Sequence, residues 1–562
     1  MEDLNAILEL ALGRGVDLLT AGELHIVRRI RGLRGAPARL YARLTARRPI
    51  VFAVDRLAVP GVPDPAAAVE VLVSLELMDR FVPWDRRLAV FTVVELKEVC
   101  RALELPVGGR RAELEDRLQG RRGWSNRAVV QVRHRGLIVR LEQWALLRRR
   151  PDRSAFVVER LGHVRWPSYA CTPGTGLHRD RRHLLGWEAL WRGRDELEPE
   201  VLLRALDARE EWPPGNLDLR GPLRKRILCA ARDRERAGDP AGARALYQGL
   251  VDGGHLPAAE VAVRVARTLE AEGRSEQAWE HLVNARASSR GPSRLAIARS
   301  GRRLAAQLRR GWAPDPPPRR PPVRHLVLPG AERIGTRPGY QSGEVVRAVE
   351  PAVAELVSSL GRTVLFAEGP LWTTLFALLF ADAYFLPVPG ALPVPFLAGP
   401  LDVGRPDFAR RRPIAVAGVL DAVGAGEAPE RIRVADERLR GTWLSGAAWN
   451  RASVDQLVAV AKGMGPTSLR VILETLLREG WRAARGLPDL VVLPGPRIRL
   501  PGAMPSRLGE GLVLAEVKGP TDSVRDEQAA WFDRLLGAGA KVELWQVSAG
   551  RGSPMPTADH SG

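Results

Sequence analysis

The chain has 562 residues, of which 45% are hydrophobic and 27% charged, proportions typical of a soluble globular protein. One hydrophobic core rarely extends over so long a chain, so we expect about three or four domains. The formal net charge of +20 favours polyanions such as nucleic acids as partners.

Cysteine usage and hydropathy argue against several protein classes. Cys100, Cys171 and Cys229 lie far apart and match no metal-ligand spacing, so neither a disulfide framework nor a zinc site is indicated. The first residues, MEDLNAILELALGRG, lack a basic segment and a small-residue cleavage site, so we expect no export signal. The most apolar stretch, 371–388, contains an aspartate, and we expect a buried core helix there rather than a membrane span. We expect a cytoplasmic protein, associated with the nucleoid if it is bacterial.

Short helices joined by Pro-bearing turns are predicted over residues 20–88. The next segment, FTVVELKEVCRALELPVGGRRAELEDRLQ (91–119), combines a candidate N-cap, Thr92, with apolar residues at three- and four-residue spacing. A Gly-Gly turn with paired basic residues then leads into a second short helix. This arrangement resembles a SAP module, a small DNA-binding unit; an ordinary helical hairpin is the alternative. The candidate DNA contacts in this module are Lys97, Arg110 and Arg111.

A faint repeat follows in residues 236–285. Gly238 and Gly273 share one place in it, and Ala243 and Ala278 share another. The period is close to that of tetratricopeptide (TPR) helix pairs, which bury their apolar faces only against neighbouring pairs. A generic helical array is the alternative. Arginine clusters along this part of the chain are either solvated faces or the lining of a groove for phosphates.

The segment WAPDPPPRRPPVR (312–324) predicts an extended spacer, because its prolines forbid a helix. Beyond it the pattern changes to alternating helices and strands, which predicts an α/β domain. The predicted elements are a helix over 467–480, strands over 487–494 and 511–517, a helix over 523–539 with Ser523 as its N-cap, and a strand over 541–547. We expect the Pro/Gly/Arg-rich insertion at 494–511 to be a flexible loop.

The residues that carry chemistry stand at the ends of the two predicted strands. Glu516 and Lys518 are two residues apart in a strand, so both side chains lie on one face, about 7 Å apart along the backbone. Asp489 lies at the start of the other predicted strand, where a hydrophobic run follows it directly. Two carboxylates at one sheet edge favour a hard cation such as Mg²⁺ or Mn²⁺, and a nearby lysine can orient or deprotonate a water bound to it. A surface salt bridge is the alternative, since Glu95-Leu96-Lys97 repeats the Glu-x-Lys pattern in a predicted helix.

Three segments, GLPDLVV (486–492), AEVKGPTDSVRDEQAAW (515–531) and GAKVELWQV (539–547), together resemble the VRR-NUC branch of the PD-(D/E)xK nucleases. More narrowly they resemble the Fanconi-associated nucleases. Other segments follow in the order of that family, so the resemblance covers the chain from about residue 20 to 550. These segments are 37–57, 154–169, 366–385 and 400–413.

The resemblance implies roles for particular residues. Glu368, Asp489 and Glu516 would bind metal through their carboxylates, and Val517 would bind it through its backbone carbonyl. Asp489 and Glu516 would also be catalytic, together with Lys518 and Gln528. Lys518 would be the catalytic lysine, and Gln528 would support the site.

The resemblance also implies a cofactor and a substrate. The cofactor would be Mg²⁺ or Mn²⁺, bound as two ions, and the substrate would be branched or 5′-flap DNA. Arg485, four residues before the metal-binding aspartate, is either a phosphate contact or an ordinary surface arginine. Many eukaryotic relatives carry a ubiquitin-binding zinc finger, and this sequence has no Cys/His cluster for one.

The predicted fold is therefore a multidomain chain with a mainly α-helical front part, containing a SAP-like hairpin and a TPR-like array, and a C-terminal α/β PD-(D/E)xK nuclease domain of VRR-NUC type. The predicted divisions are an N-terminal helical DNA-binding region at 1–88, the SAP-like hairpin at 89–122, the TPR-like domain at 123–311, the Pro-rich linker at 312–324 and the nuclease domain at 325–562.

By resemblance the function would be that of a metal-dependent, structure-specific DNA nuclease. It would act as a 5′-flap endonuclease and 5′-to-3′ exonuclease in interstrand-crosslink repair. Two alternatives stay open: a non-catalytic scaffold that binds branched DNA, and a Holliday-junction or restriction-type PD-(D/E)xK nuclease.

Overall fold

A computed structural model of the chain describes residues 2–47, 49–149, 165–172, 177–208, 212–213, 215–313, 315–334, 337–342 and 345–550. Most of the predicted family segment 154–169 lies outside these ranges. The chain divides into two compact units. The first comprises Met1–His163, Thr175–Arg192 and Glu210–Leu219, and the second comprises Val164–Gly174, Gly193–Arg209 and Arg220–Gly562.

The first unit is mainly helical, as its apolar spacing predicts. Its helices are α1 (Glu2–Gly15), α2 (Ala21–Gly32), α3 (Gly35–Ala46), α4 (Pro65–Ser74), α5 (Trp84–Arg87), α6 (Val93–Ala102), α7 (Arg111–Leu118), α8 (Arg135–Leu146) and α9 (Arg181–Gly193). The sequence analysis did not predict its small antiparallel sheet, in which β3 (Val129–Val132) lies between β1 (Val51–Ala53) and β2 (Met78–Asp79).

The predicted SAP-like hairpin is present as α6 and α7. Thr92 is the N-cap of α6, as predicted, and forms a capping box with Glu95, in which each side chain accepts a hydrogen bond from the other residue's backbone N–H. The two helices close around a small apolar core, which includes Leu96, Cys100 and Leu114. The hairpin therefore has a core of its own within the first unit.

The second unit begins with an array of antiparallel helices. They are α10 (Pro199–Asp207), α11 (Arg220–Arg236), α12 (Pro240–Asp252), α13 (Ala258–Ala271), α14 (Ser275–Ser288) and α15 (Gly291–Gln307). The array explains the repeat found in the sequence. Gly238 and Gly273 follow helices in left-handed conformations, with φ of 81° and 76°, which a Cβ would strain. Ala243 and Ala278 are fully buried where the next helix packs closely.

The described residues of the Pro-rich segment before Val323 form no helix, and the first residues of the segment pack against the array. Trp312 packs over Gly301, where a side chain would overlap the indole ring. Asp315 forms ion pairs of 2.8 and 2.7 Å with Arg286 and Arg294. Since strand β4 begins at Val323, the segment runs directly into the sheet of the C-terminal part.

A seven-stranded mixed sheet, in the order β6-β5-β4-β12-β11-β8-β7, forms the centre of the C-terminal part. Strands β4, β12 and β11 are parallel, and the others pair antiparallel with their neighbours. The strands are β4 (Val323–Ile334), β5 (Arg337–Ser342), β6 (Val345–Arg347), β7 (Val364–Phe366), β8 (Leu490–Val492), β11 (Val513–Lys518) and β12 (Val542–Gly550).

Helices cover both faces of this sheet. Helix α16 (Val349–Ser359) packs against β5, β7 and β11 on the face of Val513 and Val517. The other face, which includes Leu514, packs against a larger helical core. The helices of that core are α17 (Pro370–Leu379), α18 (Ala381–Tyr384), α19 (Asp407–Arg410), α20 (Pro413–Gly424), α21 (Ala428–Leu439), α22 (Val454–Glu479) and α23 (Asp526–Gly537).

The predicted order helix, strand, strand, helix, strand is confirmed, with two changes at helix ends. The helix predicted over 467–480 is the second arm of α22, which is kinked where Gly465 takes a φ of 71° before Pro466. The prediction that Ser523 is the N-cap of α23 was wrong, since the N-cap is Arg525. The helix begins three residues after Ser523, because the Gln528 side chain accepts the backbone N–H of Arg525 at 3.0 Å.

The insertion at 494–511 is an ordered hairpin, not the flexible loop expected. It contains β9 (Ile498–Arg499) paired with β10 (Arg507–Leu508). The buried Arg362 guanidinium holds it, donating to the carbonyls of Pro496, Gly509 and Gly511 at 3.1, 2.7 and 3.0 Å. Isolated arginines are costly to bury, so these carbonyls compensate for the lost hydration of this side chain.

The apolar stretch 371–388 forms the buried helices α17 and α18, as predicted. Among the residues that the structure describes, no helix has the length and apolar content needed to cross a membrane.

Candidate active site

The pairing of three strands brings the predicted acidic residues to one end of the sheet. Phe366 of β7 lies opposite Leu490 of β8, and the pairing continues to the backbone N–H of Ala367, which donates to the Asp489 carbonyl at 2.8 Å. Glu368 therefore comes next to Asp489 as the strands end. Leu490 is also opposite Ala515 of β11, which sets Asp489 beside Glu516.

Glu516 is completely buried at the centre of this cluster. Its Oε1 accepts two hydrogen bonds, one from Lys518 Nζ at 2.6 Å and one from Gln528 Nε2. Its Oε2 is buried without any hydrogen-bond partner. A buried carboxylate oxygen without a partner is costly, so this atom marks where a further ligand is needed.

Asp489 is held by the backbone rather than by side chains. Its Oδ2 accepts the N–H of Val517 at 2.9 Å, so the Val517 peptide is fixed between the two carboxylates. Burial raises the pKa of Asp489 to about 6. Burial, reinforced by the charge of Asp489, raises the pKa of Glu516 to about 8, although Lys518 opposes this shift. Without a cation, two adjacent carboxyl groups in this environment retain a proton near neutral pH.

A further acid near the site, Glu350, was not predicted; it lies in the first turn of α16. Its charge, like that of Glu368, contributes to the raised pKa of Asp489, so both acids are near the centre of the site. No motif surrounds Glu350, and an acid in the first turn of a helix is common because it complements the helix dipole. Only the packing of α16 against β7 and β11 brings it to the site.

The donor set suits a hard divalent cation. The carboxylates of Asp489 and Glu516 supply oxygen atoms, of which Glu516 Oε2 has no hydrogen-bond partner, and the carbonyl of Val517 would add another. Glu368 is exposed at the rim, next to Asp489. Within the described ranges, no group of three or more His, Cys, Asp or Glu side chains is already gathered into a metal cluster. Two carboxylates are thus in place, and the backbone carbonyl or Glu368 would complete the set.

Helix α23 positions Gln528, whose side chain donates a hydrogen bond to Glu516. The helix packs against α15 of the array, and Arg299 of α15 forms a two-pronged ion pair with Asp526, with distances of 2.7 and 2.8 Å. Gln528 is bonded at both ends of its amide, to Glu516 and to the N–H of Arg525. Its orientation is therefore determined by the site and by the helix start together.

The predicted DNA contacts differ in how available their side chains are. Arg110, the N-cap residue of α7, is exposed, and Lys97 on α6 is half-buried. Arg111 instead donates to Glu115 at 2.7 Å and to the carbonyls of Phe91 and Leu88, so its guanidinium holds the hairpin together. In the second unit, Arg485 is exposed at the end of a 3₁₀ turn, four residues before Asp489.

Comparisons with known proteins agree with this architecture. The VRR-NUC domain model matches residues 425–549, and the SAP domain model matches residues 87–121. A Fanconi-associated nuclease 1 homolog from Pseudomonas aeruginosa is 27% identical over 95% of this chain and 92% of its own length. The corresponding homologs from rice and Arabidopsis are each 32% identical to this chain. Each match covers 32% of this chain and only 18% or 19% of the length of the homolog.

A solved structure described as paFAN1 bound to 2-nucleotide 5′-flap DNA with a gap has the same fold. It matches with a TM-score of 0.80 over 98% of both chains, at 24% sequence identity. The resemblance to the Fanconi-associated nucleases and the presence of VRR-NUC and SAP domains are thus confirmed. Glu368 and Glu350 lie outside the segment that the VRR-NUC model matches.

Proposed function

We propose that this relative of the Fanconi-associated nucleases is a metal-dependent DNA nuclease that cleaves branched DNA at a 5′ flap. The observation that carries the proposal is the meeting of Asp489, Glu516 and Lys518 at one end of the sheet, with a buried carboxylate oxygen left for a cation. A 5′-to-3′ exonuclease activity and a role in interstrand-crosslink repair belong to the same proposal. The relative crystallised with 5′-flap DNA supports this choice of substrate.

The proposed cofactor is Mg²⁺ or Mn²⁺, bound as two ions. The residues that would hold it are Glu368, Asp489, Glu516 and, through its carbonyl, Val517. When bound, such a cation polarises the scissile phosphodiester and lowers the pKa of an attacking water. Asp489 and Glu516 share a proton that they must give up to act as ligands, so binding would be weaker at acidic pH.

Lys518 is proposed as the catalytic lysine. Its side chain is only 12% exposed and its ammonium nitrogen lies 2.6 Å from Glu516 Oε1, so its position is fixed before substrate binds. It would orient the attacking water and stabilise the negative charge that develops on the phosphate. Lysine suits this place because its charge is compact, whereas arginine would fork over two oxygens. Gln528 would be a positioning residue, since it acts by holding Glu516.

The proposed DNA contacts are phosphate contacts. The exposed Arg485 would bind a phosphate near the metal site, and Lys97 and Arg110 of the SAP hairpin would bind phosphates of a duplex arm. Arg111 would contribute indirectly, because its guanidinium is used within the hairpin. Such contacts set the register of DNA without reading its sequence, as a structure-specific nuclease requires.

The decisive experiment compares cleavage of a 5′-labelled flap, a four-way junction and a linear duplex with Mg²⁺ or Mn²⁺. We expect the wild-type protein to cut the flap fastest, and Lys518→Ala to abolish cleavage while flap binding is retained. Lys541→Ala is the matched control, because Lys541 also lies near a buried glutamate, at 4.0 Å from Glu543, but outside the site. It should cut at the wild-type rate.

Two results would contradict the proposal. Flap binding without any metal-dependent turnover would indicate a non-catalytic scaffold. A clear preference for the four-way junction or the linear duplex would indicate a resolvase or restriction-type nuclease.

A further inference from the structure

A cavity of 490 Å³ lies in the second unit, apart from the candidate active site. Its lining comes from three segments: residues 165–168, the end of the apolar helices around Asp382 and Phe385, and the end of α21 around Arg438. None of the proposed catalytic or metal-binding residues lines it. A volume of this size accommodates a small organic ligand.

The walls of this cavity are fixed by contacts that do not depend on a ligand. Trp166 stacks on Trp443, with ring centres 5.0 Å apart and an interplanar angle of 13°. The backbone N–H of Trp443 donates to the Arg165 carbonyl at 2.7 Å. On the other side, Phe385 stacks on Tyr169 at 5.7 Å and 12°. The cavity is therefore a pre-formed recess with flat aromatic walls.

The polar groups of the cavity are one unpartnered N–H and two arginines at the rim, of which Arg165 donates to the Arg440 carbonyl at 3.2 Å. The indole N–H of Trp166 is buried and has no hydrogen-bond partner, and the residue is only 8% exposed. Arg165 is exposed at the edge, and Arg438 forms a 2.7 Å ion pair with Asp382 that is open to solvent on both sides. The rim therefore carries two cations, Arg165 and Arg438, and one carboxylate, Asp382, which leaves an excess of positive charge.

We propose that this cavity binds one nucleotide of single-stranded DNA. The base would lie against the aromatic walls and accept the Trp166 indole N–H, and its phosphate would pair with Arg438 and Arg165. Aromatic rings beside cations are the usual combination in single-strand binding. An unpaired strand is required, because a base in a duplex cannot offer its face and its edge together.

The inference deepens the proposed function, on which it rests for the source of the strand: the unpaired arm of a branched substrate. An acidic peptide could neutralise the arginines. A peptide made only of acidic residues would have no flat ring to lie against Phe385 and Trp166, so the cavity favours a nucleotide over it.

The test is binding of a labelled oligothymidylate and of a blunt duplex to the full chain in EDTA, where no cleavage occurs. Arg438→Ala should weaken oligothymidylate binding about 3- to 10-fold and reduce its salt slope by about 0.7, as the loss of one single-strand phosphate contact predicts. Blunt-duplex binding should not change. Arg433→Ala is the matched control, because Arg433 is an exposed, ion-paired arginine of the same helix, five positions away from Arg438 and outside the cavity. It should change oligothymidylate binding by less than about 2-fold.

Two further variants sharpen the test. Asp382→Asn removes the carboxylate that competes for Arg438, so it should strengthen oligothymidylate binding about 2- to 5-fold. Trp166→Phe keeps the ring and loses the N–H, and it should weaken binding about 3-fold or more, with thermal unfolding measured in parallel as a control for folding.

Equal effects of Arg438→Ala and Arg433→Ala would overturn the site. So would an Arg438-dependent affinity for a labelled polyglutamate peptide that exceeds the affinity for oligothymidylate. Failure here is distinct from failure of the proposed function. A protein that cuts flap DNA but binds oligothymidylate independently of Arg438 refutes only this site. A protein that binds through Arg438 but never cuts refutes only the nuclease activity.

Discussion

Glu516→Gln should stabilise the metal-free protein at alkaline pH and should also abolish cleavage. The buried Glu516 has a pKa of about 8, well above its ordinary value of 4.5, because burial and the neighbouring Asp489 disfavour its charge. Between these two values the folded protein binds more protons than the unfolded chain. The free energy of unfolding therefore falls as the pH rises through this window. A neutral amide in place of the carboxyl group removes this loss.

The structure sets the size of the effect. At about 1.4 kcal/mol per pH unit, Glu516 alone would cost up to roughly 3 kcal/mol between about pH 6 and pH 8. Glu516→Gln keeps an oxygen that can accept the hydrogen bonds of Lys518 and Gln528, so little packing is lost. The variant should match the wild-type protein at about pH 5 and exceed it increasingly as the pH rises from there to about 8.

The assay is thermal unfolding in EDTA across this pH range, with Glu543→Gln as the control of opposite sign. Although Glu543 is also buried, its ion pair with Arg324 outweighs that burial and lowers its pKa. Its charge therefore stabilises the fold above its ordinary pKa, and Glu543→Gln should destabilise the protein at neutral pH by about 3–5 kcal/mol. Identical pH profiles for the wild-type protein and Glu516→Gln would refute the assignment of a retained proton to this pair.

Three other predictions concern the surroundings of the site. Arg362→Lys should lower the free energy of unfolding by about 2–4 kcal/mol and speed hydrogen exchange in the 494–511 hairpin, because one ammonium cannot satisfy the same carbonyls; unchanged exchange would count against it. Mn²⁺ binding should release protons between about pH 6 and pH 8, as the cation replaces the proton held by the carboxylates. A calorimetric enthalpy that does not depend on the ionisation enthalpy of the buffer would contradict this. Gln528→Ala should weaken Mn²⁺ binding about 10- to 100-fold. Gln456→Ala, which removes the corresponding capping-box glutamine at the start of α22, should not, and equal losses would show that Gln528 has no special role.

Much of the fold followed from short-range patterns in the sequence. The alternating segment KVELWQV predicted strand β12 and GLVLAEV predicted β11, each within three residues of the observed bounds. Thr92, predicted as the N-cap, likewise marked the start of α6. These features depend on neighbours within a few residues, and so their physical causes are visible in the sequence itself.

Features that depend on distant partners were missed or mistaken. The insertion at 494–511 looked flexible because of its Pro, Gly and Arg content, yet Arg362, more than a hundred residues earlier, fixes it. Glu350 had no local signal, and only the placement of α16 against the sheet brings it near Asp489. The β-sheet of the first unit also escaped prediction, because its strands are short and are separated by whole helices.

The two Glu-x-Lys tripeptides of this chain separate what neighbours in the sequence determine from what distant partners determine. Glu95 lies in a helix, and its pKa is lowered to about 2, first by the backbone N–H of Thr92, three residues away. Glu516 lies in a strand, and its pKa is raised to about 8 by burial and by Asp489, which is distant in sequence. The sequence by itself determined the secondary structure around each tripeptide and hence whether its two side chains share a face. Only the tertiary structure decided that one glutamate would be solvated and paired and the other buried with a free oxygen, because desolvation comes from the whole core packed around it.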